Sequence, residues 1–160
     1  MFKHILVPTD GSPLSQEAVT RAVSFAREAG ARITFFCAVQ PAPKMYYGAG
    51  AIFDTHTFAT FREKMLGTAN DILDAAGKIA EKAGVECGTV ALVSEEPYEA
   101  IIEAASKNGC DLIFMASHGR RGISGLLLGS ETQKVLTHST IPVLVHRSGY
   151  RELPVDKNRD

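Results

Sequence analysis

Several things are missing from this chain, and each absence narrows what it can be. Its opening, MFKHILVPTDGS, places only three apolar residues in a row before Pro8, whereas a secretory core needs about 7–15 and a membrane span about 20. A cytoplasmic protein that does not engage a membrane is expected. No excess of one charge is present either. Seventeen Lys and Arg stand against 18 Asp and Glu, a formal net charge of −1, so no global basic field argues for nucleic acid. The three cysteines, Cys37, Cys87 and Cys110, include no C-x-x-C pair, and they read as reduced, mostly buried thiols rather than disulfides or metal ligands. His4, His56, His118, His138 and His146 form no metal-ligand spacing with cysteine or with one another. A dedicated zinc site is therefore not expected.

The common nucleotide signatures are absent as well. No G-x-x-x-x-G-K-[ST] occurs, and no G-x-G-x-x-G opens a helix after a strand. GAGAIF at Gly48 follows no strand directly and lacks the third glycine. A response-regulator phosphoacceptor does not fit, because ALVSEE carries no aspartate at its strand tip and the last strand ends VHR with no lysine.

What is present is an ordinary globular composition, 45% hydrophobic and 22% charged over 160 residues, enough for one domain with a sizeable core. HILV is a short, largely β-branched run stopped by Pro8, the pattern of a strand buried on both faces. Ser12 then offers an N-cap with Pro13 at the first helical position, and Gly30 ends that helix. ARITFFCAVQ reads as the second strand, and Pro41 to Thr57 as a long excursion bearing Tyr46 and Tyr47. Phe58, Phe61, Met65, Ala69, Ile72, Ala76, Ile79 and Ala83 step by three or four and predict the core-facing stripe of a long helix. VECGTVALV, CDLIFMAS and IPVLVHR complete five strands, with helices opening near Pro97 and Ser130. The alternation predicts an α/β fold: a three-layer α/β/α sandwich around an open, parallel, five-stranded sheet with four helices, Rossmann-like. One domain over residues 1–147 and a polar tail over 148–160 follow.

In such sheets ligands bind outside the carboxyl ends of the strands, and two loops there are chemically loaded. PTDGS follows the first strand. SHGRRGISGLLLGS follows the fourth, with Gly119, Gly122, Gly125 and Gly129 within eleven positions. Glycines reach positive φ, so their N–H groups can converge on one anion without an obstructing side chain. The next helix adds unpaired N–H groups and the positive end of its dipole. Phosphate is the expected guest. SETQ also reads as a capping box, Ser130 capping the N–H of Gln133, and that alternative stands beside phosphate binding. Arg120 and Arg121 are candidate phosphate partners or solvated cations. Asp10 can accept from ribose hydroxyls, hold a divalent ion beside phosphates, or simply start the turn. The two loops meet only if the first and fourth strands are neighbours.

These residues resemble the universal stress protein family from Phe2 to Arg147. The family's ATP-binding members carry G-x2-G-x9-G-[ST], matched here by Gly119, Gly129 and Ser130, with Ala116 in place of the first glycine. ILVPTDGSPLSQEAV is similar to the family's first strand and turn. The resemblance implies the strand order 3-2-1-4-5 and a bound adenine nucleotide, ATP, ADP or AMP, with Mg2+ or Mn2+ arriving through the phosphates. By position, Pro8, Thr9 and Asp10 would line the nucleotide, and Ala38 would meet adenine through its backbone. Met115, Ala116, His118 and Gly119 would flank ribose and phosphates, while Gly129, Ser130, Glu131 and Thr132 would hold the phosphates by backbone or hydroxyl. The resemblance also implies a homodimer through the last strand, Ile141 to His146. A regulatory stress-response nucleotide-binding protein is the leading expectation. Slow ATP hydrolysis, a Ser12–Asp10–His118 triad, and an interaction module that has lost its nucleotide are the alternatives.

Overall fold

The computed structural model describes residues 1–41, 55–120 and 128–148. β1 (His4–Pro8), α1 (Pro13–Ala29), β2 (Arg32–Val39), α2 (Thr55–Lys82), β3 (Cys87–Val93), α3 (Pro97–Lys107), β4 (Leu112–Ala116), α4 (Ser130–His138) and β5 (Val143–His146) alternate along the chain. The five strands form one parallel sheet in the order β3-β2-β1-β4-β5. Period-two alternation divides the strands' side chains between two cores. Ile5, Val7, Ile33, Phe35, Leu112 and Phe114 pack with α1 and α2. Leu6, Phe36, Ile113 and Met115 pack with α3 and with Val135 of α4.

Local chemistry explains most element ends. The Ser12 hydroxyl accepts from the Ser15 N–H at 3.3 Å, with Pro13 in the first turn of α1. The Asp111 carboxylate accepts from the N–H groups of Lys3 (2.8 Å) and His4 (3.0 Å), which pins the start of β1 to the start of β4.

Two expectations need correction. The long helix begins at Thr55, inside the anticipated excursion, and its buried ridge is Ala69, Leu73, Ala76 and Ala80, which keeps Ala69 and Ala76 of the predicted stripe and adds Leu73 and Ala80. Ile72 and Ile79 flank that ridge half-buried, and Phe61 is exposed. Small alanines win the contact line because they let the helix approach the sheet, and the larger neighbours close its sides. Tyr46, Tyr47 and His56, with the rest of the excursion before Thr55, lie outside the described residues or side chains, as do Arg121, Gly122, Gly125 and the tail from residue 149.

The topology creates the site. Chain connections leave β1 toward β2 on one side, and β4 lies on its other side. The loops after β1 and β4 therefore rise at the switch point of the sheet, where a crevice opens.

Candidate functional site

The two loaded loops meet. Ile5 and Leu6 of β1 pair with Leu112 and Ile113 of β4, and beyond the strand ends the Arg120 N–H donates to the Asp10 carboxylate at 2.8 Å. The other carboxylate oxygen accepts from the Ser12 N–H at 2.9 Å. Burial alone would push the Asp10 carboxyl up, but bonds from the Ser12 hydroxyl, the N–H groups of Ser12 and Arg120, and the Ser15 hydroxyl outweigh it. They hold the carboxyl below its ordinary range, so Asp10 is a fixed negative charge at the mouth of the crevice.

The glycines of the second loop serve by size and not by handedness. Neither Gly119 nor Gly129 has a positive φ, contrary to the expectation. A Cβ on Gly119 would collide with the Asp10 carboxylate, and one on Gly129 would stand 3.0 Å from the His118 Cα. Close approach demands both, of the Asp10 side chain at Gly119 and of the His118 backbone at Gly129. Left-handed geometry is needed instead at Gly11, φ 76°, where an added Cβ would also lie 2.9 Å from Ile72.

At α4 the capping-box reading fails. Gly129 is the N-cap, in extended conformation, and Ser130 is the first helical residue with no capping bond to Gln133. The Gln133 side chain donates instead to the Leu128 carbonyl at 2.9 Å, and its own N–H donates to the Gly129 carbonyl at 3.0 Å. Ser130 is exposed. The N–H groups of Ser130, Glu131 and Thr132 thus precede the first intrahelical bond, and they point out of the helix with its dipole behind them.

Two expected phosphate ligands have structural duties in their side chains. Thr132 is buried, and its hydroxyl donates to the Ala116 carbonyl at 3.0 Å, tying α4 to the end of β4. The Glu131 carboxylate accepts from the Tyr98 N–H at 2.8 Å, within the first turn of α3, whose own N-cap residue Glu96 makes no side-chain cap. What residues 131 and 132 can offer an anion is their backbone. Thr9 is likewise committed, its hydroxyl 3.0 Å from that of Ser15 and accepting from the Gly11 N–H at 3.3 Å.

Met115 and Ala116 are buried, Met115 toward α3 and Ala116 in the core against α1. The methyl group that replaces the family's first glycine therefore packs in the interior. Pro8 and His118 are half-buried at the rim. The His118 ring nitrogen Nδ1 lies 3.3 Å from the Ser117 hydroxyl, while Ser12 caps α1. No hydrogen bond among the described residues joins His118 to Ser12 or Asp10, and the triad does not assemble.

Ala38 has a feature that follows from strand length. Along β2 the even positions bond toward β1: the Arg32 N–H donates to the Lys3 carbonyl, and the Phe36 carbonyl accepts from the Thr9 N–H at 2.8 Å. β2 outlasts β1, so the next even residue, Ala38, turns its N–H and C=O toward the crevice with no strand partner there. An adjacent donor and acceptor in extended backbone match the edge of an adenine ring.

Sequence reasoning missed Ser117. Its N–H donates to the His146 carbonyl and its carbonyl accepts from the Gly129 N–H, each at 2.8 Å, so it closes the base of the glycine loop. Nothing in the motif spacing marks it, because its work is done by the backbone. No group of three His, Cys, Asp or Glu able to hold a metal occurs among the described residues, and none of their helices is long and apolar enough to cross a membrane.

The profile of the Universal stress protein family matches residues 1–147. The chain belongs to the universal stress protein family. Universal stress protein MJ0531 of Methanocaldococcus jannaschii is 31% identical over 152 residues, covering 95% of this chain and 86% of that protein. Among solved structures, the hypothetical protein MJ0577 superposes with a TM-score of 0.78 at 25% identity, over 94% of this chain and 99% of that one. A universal stress protein solved in complex with cAMP superposes at 0.67 and 27% identity, over 92% and 99%. This universal stress protein therefore shares fold, strand order and length with its relatives.

Proposed function

We propose that this universal stress protein binds an adenine nucleotide in the crevice between the β1 and β4 loops, and that occupancy regulates a homodimer. The observation that carries the reading is the bond between the Arg120 N–H and Asp10, which draws both loops into one site. Around it the donor set fits the ligand. The unpaired backbone of Ala38 suits the base, Asp10 suits ribose hydroxyls, and the N–H groups at the start of α4 suit phosphates. The cAMP complex of a relative supports the ligand class. ATP, ADP and AMP share the groups that this set addresses, and ATP makes fullest use of the α4 N-terminus. Mg2+ or Mn2+ would arrive on the phosphates, with the charged Asp10 nearby. The core position of the Ala116 methyl removes the main sequence reason for an interaction module without nucleotide. Pairing would use β5, an edge strand whose four residues are all half-buried.

Mass analysis of small molecules released from the denatured, purified protein tests this reading, together with a thermal shift on adding Mg-ATP. An adenine nucleotide in the supernatant, or a melting temperature raised by several degrees, is the expected result. A protein that is persistently empty and thermally indifferent to Mg-ATP, ADP and AMP contradicts it.

A further inference from the structure

The position of one guanidinium makes a finer assignment, which rests on the nucleotide reading above. Arg120 follows Gly119 in the glycine loop, where a cation would ordinarily be expected to reach for phosphate. Its side chain goes elsewhere. Nη2 stands 3.3 Å from the point where a Cβ on Gly11 would be, and Ile72 of α2 bounds the same space at 2.9 Å. The Arg120 charge also acts on the Cys37 thiol, whose acidity is lowered chiefly by burial and by Asp10 and partly restored by Arg120. Cys37 immediately precedes Ala38 on β2. The guanidinium therefore lies toward the β2 side of Asp10, the end where the unpaired backbone of Ala38 faces the crevice. The anion-binding N–H groups belong to α4, which starts beyond β4 on the other side of Asp10. Among the described residues the guanidinium has no ion-pair partner, and its backbone is anchored by Asp10. A flat, weakly hydrated cation beside an apolar side chain is suited to the face of an aromatic ring.

We propose that Arg120 recognises the purine ring, lying over its face with Ile72, and does not bind the phosphates. The base is then held by its edge at Ala38 and by its face at Arg120. Among the described residues, charge at the phosphate end comes from the α4 backbone.

Calorimetric or competition titration of adenosine, AMP and ATP into the wild type, Arg120→Ala and Arg120→Lys separates the two ends. The expected result is a loss of about five- to tenfold for all three ligands in Arg120→Ala. The ratio of ATP to adenosine affinity should be unchanged, and Arg120→Lys should recover little, because it keeps the charge and loses the plane. A loss for ATP with adenosine unaffected, rescued by lysine, would assign the residue to phosphate and overturn the proposal. Equal affinities in all three proteins would overturn it too. A wild type that binds none of the ligands would defeat the nucleotide reading itself, which is a distinguishable result.

Discussion

Gly119 and Gly129 are defined by what surrounds their α-carbons. The first is pressed against the Asp10 carboxylate and the second against the His118 backbone, so a side chain at Gly119 must push the two loops apart and one at Gly129 must open the base of the second loop. Gly119→Val and Gly129→Val are each expected to weaken ATP binding about a hundredfold or more, equivalent to losing two charge-assisted bonds of about 1.5–3 kcal/mol. Titration of the folded variants measures this, and unchanged affinity in both would place the site elsewhere. Asp10 gives a pH signature. Its folded-state carboxyl titrates below the ordinary value of 3.8, so the stabilisation it contributes is fully present above that value. It is lost as pH falls through the lower, folded value. Urea midpoints of wild type and Asp10→Asn should therefore differ most near neutrality and converge in strong acid. Parallel curves across the whole range would show that Asp10 is not held as described. Size and charge at these three residues could be read from the motif, but the reason for the glycines could not. The motif fits positive φ as well as close approach, and only the neighbours decide between them.

At the level of elements, α4 does two things at once. Its first backbone groups face the crevice, while its Glu131 carboxylate caps the neighbouring helix α3 through the Tyr98 N–H. Glu131→Ala is expected to cost about 0.5–2 kcal/mol of stability, with most of it recovered by Glu131→Gln, which keeps an acceptor. Chemical denaturation checks this; a neutral alanine variant would mean that water caps α3 equally well. The helix start shows where local patterns stop being informative. Ser-x-x-Gln fits a box with Ser130 outside the helix, yet Thr132 is anchored on the Ala116 carbonyl. That bond and the Gly129 N–H to Ser117 set the start one residue earlier. Strand boundaries were easier. β1 and β4 announce themselves as short apolar runs because both faces are covered. The register that leaves Ala38 unpaired depends on the relative lengths of β1 and β2, and no single segment encodes it.

For the whole molecule, the order β3-β2-β1-β4-β5 converts two separate loops into one crevice and leaves β5 as an edge. On β5 the bonds to β4 come from even positions, with the carbonyls of Pro142 and His146 accepting from Ile113 and Ser117. The amides of Val143 and Val145 consequently face outward. Val145→Pro removes an outward donor while leaving the β4 pairing in place. Light scattering should show the 17.2 kDa chain as a dimer in the wild type and a monomer in this variant, with circular dichroism unchanged. A wild-type monomer, or a variant that stays paired, contradicts the β5 dimer. Alternation of strands and helices made the three layers legible in the sequence, but chain alternation alone is compatible with several strand orders. The neighbour relation of β1 and β4, on which the site depends, is implied by family resemblance and is present in the structure.

The most direct test of the central claim follows individual backbone amides by NMR while ATP is added. Resonances of Ala38, Gly119, Gly129, Ser130, Glu131 and Thr132 should shift together and saturate at one ligand per chain. Those of His4 and Asn108, at the opposite end of the sheet, should stay in place. Unmoved amides around Asp10 and Gly129, or shifts confined to the far end, would contradict a nucleotide site between the β1 and β4 loops.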